Sequence, residues 1–94
     1  MSEIAVTREA GAGDDPMRFR VAVRDGGSST EHEVTASVAD LRRLGSGRTP
    51  EAFVRDCFRF LLEREPKESI LRAFDVGVIA TYFPEFEREI VHLP

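Results

Sequence analysis

The sequence predicts an α+β fold: an N-terminal antiparallel β-hairpin, extendable to three strands, packed against three to four C-terminal helices. Three observations predict it. Residues 17–38 alternate apolar and polar with a period of two, whereas from residue 39 the apolar residues recur three and four apart. Strands precede helices, an order that places helices on one face of an antiparallel sheet. The 94 residues, 41% of them hydrophobic, suffice for a single domain spanning 1–94 with a modest core.

Within 1–16, flexible or weakly paired, Ile4–Thr7 reads as a short strand and Gly11 to Pro16 as a loop. The hairpin occupies 17–38. Phe19, Val21 and Val23 point one way and Arg18, Arg20 and Arg24 the other. After a turn at Asp25-Gly26-Gly27-Ser28-Ser29, Val34, Ala36 and Val38 oppose Glu31, Glu33, Thr35 and Ser37. Pairing Arg24 with Glu31, Val21 with Val34 and Phe19 with Ala36 brings both apolar faces to one side.

Residues 39–94 read as helical. Ser37 to Asp40 resembles a capping box, opening a short helix through Leu44 with Gly45 as its C′ residue. Thr49 is a natural N-cap and Pro50 a natural first residue for a helix running to about Glu65. Pro66 to Phe74 has helical spacing at Ile70, Leu71 and Phe74. Asp75 caps a further helix bearing Val76, Ile79, Tyr82 and Phe83, and Pro84 kinks it or opens a last turn with Phe86 and Ile90 apolar.

A lone cysteine, Cys57, makes no internal disulfide, and no signal peptide or membrane-length apolar run is visible, so the expected setting is a reducing cytoplasm with no membrane partner. Twelve arginines against one lysine look like codon bias in a GC-rich bacterial genome. One cysteine and two separated histidines give no zinc spacing, and no metal or cofactor is expected. The net charge of −4 divides unevenly, with −3 over residues 1–16, +2 over 17–49 and −3 over 50–94. The acidic balance disfavours nucleic acid as a partner of the whole chain but leaves the middle segment open to an anion.

No catalytic set emerges, and an enzyme is not expected. Cys57 sits among Phe53, Val54, Phe58 and Leu61, a setting for an inert buried thiol. His32 lies inward on its strand near the open end, and neither it nor His92 has a partner at catalytic spacing. Glu63, Glu65 and Glu68, and Glu85, Glu87 and Glu89, read as solvated helix ends. One segment, Arg42 to Pro50, carries three arginines and no acid and runs into a helix N-terminus. Arg42, Arg43, Arg48 and Thr49 are therefore candidates for binding an anion or an acidic partner. Alternatively, Gly45 and Thr49 simply end one helix and start the next.

The stretch from residue 31 to 65 resembles the ribbon-helix-helix family of small bacterial repressors and antitoxins. A polar–apolar strand, Glu33-Val34-Thr35-Ala36-Ser37, and a Leu-bearing helix lead to Gly47-Arg48-Thr49. There follows Phe53-Val54-Arg55-Asp56-Cys57-Phe58-Arg59-Phe60-Leu61-Leu62, similar to that family's second helix. The resemblance implies an obligate dimer whose strand pairs with its mate and enters the DNA major groove. It places Glu33, Thr35 and Ser37 on the base-facing side and the backbone from Thr49 to Glu51 at phosphate. The segment from Glu63 to Pro84 resembles short bacterial proteins, a likeness that implies no function. The leading expectation is a non-enzymatic bacterial protein of the cytoplasm acting through protein–protein contact, as a homodimer or with another chain. The alternative is a ribbon-helix-helix DNA-binding repressor or antitoxin.

Overall fold

The computed structural model describes residues 2–9 and 13–92; Gly11 and Ala12, at the start of the expected loop, lie outside them. Four strands, β1 (Glu3–Arg8), β2 (Met17–Asp25), β3 (Ser28–Ala36) and β4 (Ala73–Asp75), form one mixed sheet in the order β1-β2-β3-β4. The helices are α1 (Val38–Leu44), α2 (Pro50–Leu62), α3 (Ile79–Tyr82) and α4 (Phe86–Ile90), with short 3₁₀ turns at Lys67–Ser69 and Val76–Val78. The architecture is α+β, with the sheet differing from the purely antiparallel one expected: β4 joins β3 in parallel.

The β2–β3 turn is tighter than the five residues expected. Asp25 pairs with Ser28, and Gly26 (φ 61°) and Gly27 (φ 87°) alone make the loop. Positive φ at both central residues is the type I′ geometry, whose twist matches that of the strands. The tight loop moves the register two residues from the expected one: Arg24 faces Ser29, Val21 faces His32 and Phe19 faces Val34. A shift of two keeps every side chain on its face, so Met17, Phe19, Val21, Val23, Val34 and Ala36 are still buried together. The tighter turn also brings Thr30 into the ladder opposite Val23, on the same inward face as His32, and both are buried. β1 is longer than expected and pairs with β2 over its full length, from Glu3↔Arg24 to Arg8↔Phe19.

α2 lies across the inner face of the sheet and buries Phe53, Val54, Cys57, Phe58, Phe60 and Leu61. Thr49 starts it as expected: its Oγ1 accepts from the Ala52 N–H at 3.2 Å, and Pro50 follows. It ends at Leu62, short of Glu65, the chain continuing as a turn held by Arg64 and Glu65 N–H groups on the Leu61 carbonyl. α1 opens as read, with Ser37 Oγ accepting from the Asp40 N–H at 3.0 Å. Its exit differs. Gly45 keeps a right-handed φ of −74° and the left-handed turn falls at Ser46 (φ 52°) and Gly47 (φ 80°).

The largest departure is residues 66–74, read from sequence as a helix. Only Lys67–Ser69 makes a helical turn; the chain then extends, and Ala73–Asp75 becomes β4. The reason lies in β3, whose second edge needs partners for its backbone groups. The Glu33 N–H donates to the Arg72 carbonyl at 2.7 Å, and Thr35 Oγ1 donates to Asp75 Oδ2 at 2.6 Å. Asp75 then caps the next turn by accepting from the Gly77 N–H at 2.8 Å, the helix start expected of it.

Candidate functional site

The expected arginine segment is built into the fold. Arg48 runs inward from the α1–α2 loop, its side chain 11% exposed. It pairs at 3.4 Å with Asp56 of α2, itself 7% exposed, and donates to the Ile90 carbonyl at the end of α4. Arg43 bridges α1 to the C-terminal region, reaching Glu87 at 2.7 Å and Asp40 at 3.0 Å. Thr49 is occupied as the α2 cap, and Arg42 is exposed in the last turn of α1. Two of the three arginines thus face protein acids, and the segment acts as a clasp between loop, α2 and α4.

Glu33, Thr35 and Ser37 are likewise engaged within the chain. Glu33 pairs with Arg20 across the outer face of the sheet at 3.2 Å, Thr35 bonds Asp75, and Ser37 caps α1. β3 pairs with β2 along its length and with β4 over Glu33 to Thr35, so the stretch carrying Glu33 and Thr35 is already paired on both sides within its own chain.

Of the titratable side chains singled out from sequence, Cys57 and His32 are shut in the core, and His92 is exposed. Burial pushes the Cys57 thiol well above its ordinary range. His32 is 1% exposed and bonded at both ring nitrogens. Nδ1 meets the Leu71 carbonyl at 2.7 Å, and a carbonyl only accepts, so Nδ1 carries the proton. Nε2 then accepts from the Thr30 hydroxyl at 2.8 Å. The Phe58 ring meets the imidazole edge-on at 5.3 Å. Desolvation lowers the His32 pKa; the Leu71 carbonyl raises it and the nearby Arg72 charge lowers it further. Among the described residues no group of three or more His, Cys, Asp or Glu converges as metal ligands, and no helix is long and apolar enough to cross a membrane. The acidic runs are partly internal: Glu85 and Glu89 converge on Arg64 at 3.0 and 2.9 Å, and Arg64 lies over the Phe60 ring.

A concave feature of the surface lies elsewhere. Where the chain leaves α2, turns at Lys67–Ser69, extends into β4 and returns through α3, it encloses an open hollow of about 310 Å³. Leu61 and Ile70 form its buried floor with Ile79, and Phe74, Val78 and Phe83 line its sides. Its rim carries the two large apolar side chains most exposed among the described residues, Leu71 at 48% and Tyr82 at 64%. Glu65 and Ser69 add polar atoms, and desolvation raises the Glu65 pKa. His32 holds the Leu71 carbonyl and so fixes one wall. In the sequence, Leu71 and Tyr82 are only apolar positions at helical spacing. Their clustering depends on β4, which brings residues 61 to 83 around one hollow and has no periodic signature.

No family model, curated protein or solved structure matches the chain.

Proposed function

We propose that this is a non-enzymatic bacterial protein of the cytoplasm that acts by protein–protein contact, and that the hollow between α2, β4 and α3 is where it holds a partner. The observation that carries the proposal is the pairing of a sheltered apolar floor with an exposed apolar rim, Leu71 and Tyr82. Exposed aromatic and aliphatic anchors around a pocket are how protein interfaces concentrate their binding energy. At about 310 Å³ the hollow sits at the lower end of the ~300–1,000 Å³ range of small-molecule pockets. It suits one bulky apolar side chain better than an organic cofactor. The Glu65 carboxyl group at its edge selects for a cation or amide donor beside that anchor. The fitting occupant is a partner segment with a large apolar residue next to Lys or Arg. That Cys57 and His32 are enclosed and bonded internally supports a binding role over a catalytic one.

Selection of a random-peptide library on the intact protein tests this. The expected outcome is enrichment of peptides with an apolar residue beside a basic one, whose binding weakens at least tenfold in Leu71→Asp and loses its preference for the basic residue in Glu65→Gln. Peptides that bind Leu71→Asp as well as the parent, or no enrichment at all, would overturn the proposal.

A further inference from the structure

β1 ends the sheet on the side away from the hollow, and among the described residues no strand lies beyond it. The Glu9 N–H donates to the Arg18 carbonyl at 2.9 Å, which sets the alternation along the strand. Backbone groups of Glu3, Ala5 and Thr7 address β2, and those of Ile4, Val6 and Arg8 address the open side. Proteins usually blunt such an edge with proline, lysine, a bulge or an inward charge. Over Glu3 to Thr7 β1 has none of these. Its inward residues, Ile4 and Val6, face the core beside Val23 and Val21 yet stay half-exposed, because α2 covers them only in part.

We propose that β1 is the seam of a homodimer, pairing antiparallel with β1 of a second copy about a twofold axis at Ala5. The strand is complementary to itself in this register and in no neighbouring one. Like faces must meet, so the pairing shifts only in steps that keep inward residues opposite inward residues. Centred on Ala5, Ile4 lies opposite Val6 on the inner face and Glu3 opposite Thr7 on the outer face, with no like charges opposed. The free N–H and C=O groups of Ile4 and Val6 then pair with each other across the axis. Centred on Val6, Glu3 would oppose Glu9 and Ile4 would oppose Arg8. Centred on Ile4, the ladder stops at Val6 and leaves Arg8 outside it. The Ala5 register joins the two sheets into one, sets the helices of both copies on the same face, and covers the open flanks of Ile4 and Val6. The small core expected of a 94-residue chain gains most from such burial.

The dyad supplies a test that is specific to the register. Ala5 is exposed on the outer face, so a longer side chain there leaves the monomer intact but meets its own copy at close range in the dimer. Sedimentation equilibrium over a dilution series should give twice the 10.5 kDa chain mass for the parent protein. Ala5→Glu and Ala5→Arg should each weaken self-association roughly tenfold or more by placing like charges directly opposite. An equimolar mixture of the two variants should restore the dimer as a heterodimer, which a merely structural effect of either substitution would not produce. Far-ultraviolet circular dichroism reports whether each variant is folded, and the mixing experiment needs only one of the charge-paired variants to be matched by Ala5→Lys or Ala5→Asp if either is not. Leu71→Asp should dimerise like the parent, separating this seam from the hollow. A monomeric parent, undiminished association in both Ala5 variants, no restoration on mixing, or loss of the dimer in Leu71→Asp would each overturn the proposal.

Discussion

His32 shows how a residue's facing is local while its partners are not. Alternation along residues 28–36 places it inward, and that much was legible. Its two partners were not: the Thr30 hydroxyl is two residues away, but the Leu71 carbonyl is 39 residues distant and arrives only with β4. Because burial lowers its pKa in the fold from the ordinary 6.5, the unfolded chain takes up the proton first as pH falls. The stabilisation is complete above about pH 6.5 and is lost as pH drops through the lowered folded value. Denaturant midpoints measured from pH 7.5 to 5 should therefore fall below 6.5, and His32→Gln should flatten that dependence; an unchanged slope in the variant would assign the effect to other groups. Arg48 carries the opposite lesson. Its place in an arginine-rich loop before a helix reads as an anion site, yet Asp56, eight residues further on, and the end of α4 enclose it. Truncation leaves the buried Asp56 carboxylate with Arg59, at 3.2 Å, as its remaining ionic partner. Arg48→Ala should therefore cost about 1.5–3 kcal/mol by denaturant titration, a loss that added phosphate does not repair. An effect below about 1 kcal/mol would mean the pair is solvent-like.

At the scale of elements, legibility follows from how local the determining forces are. Thr49-Pro50 specifies the start of α2 within a few residues, and Ser37 does the same for α1, so both starts were readable from the chain. Removing the cap in Thr49→Ala should lower stability by about 1 kcal/mol without altering the fold. The hairpin faces were readable because period two survives a shift of two, whereas the register was not, since it depends on Gly26 and Gly27 alone forming the turn. Both hold positive φ, so Gly27→Val should cost about 1–2 kcal/mol by the same titration, while Gly26→Asn, compatible with that backbone, should be close to neutral. Equal losses in the two variants would argue against the type I′ geometry. β4 lay beyond reach of any local signal. Ile70, Leu71 and Phe74 have helical spacing, and only the unpaired edge of β3 draws Ala73–Asp75 into the sheet.

At the scale of the molecule, the two candidate surfaces stand on opposite edges of the sheet. β1 offers backbone groups and two half-covered apolar side chains; the hollow beside β4 offers an apolar floor, Leu71, Tyr82 and the Glu65 carboxylate. The acids of the C-terminal segment resolve in three dimensions into internal ion pairs, Glu87 with Arg43 and Asp56 with Arg48 of the basic middle, and Glu85 and Glu89 with Arg64. Charge therefore holds the C-terminal turns onto α1 and α2, while the apolar side chains of Leu71 and Tyr82 stay exposed. On the proposed function, contact is made at the hollow. Amide chemical-shift mapping of a library-selected peptide on the isotope-labelled protein tests it most directly. The expected result is a set of perturbations confined to Leu61, Glu65, Ile70, Leu71, Phe74 and residues 78–83. Perturbations centred instead on Arg42, on the outer face of the sheet around Arg20 and Glu33, or scattered without a locus, would contradict it.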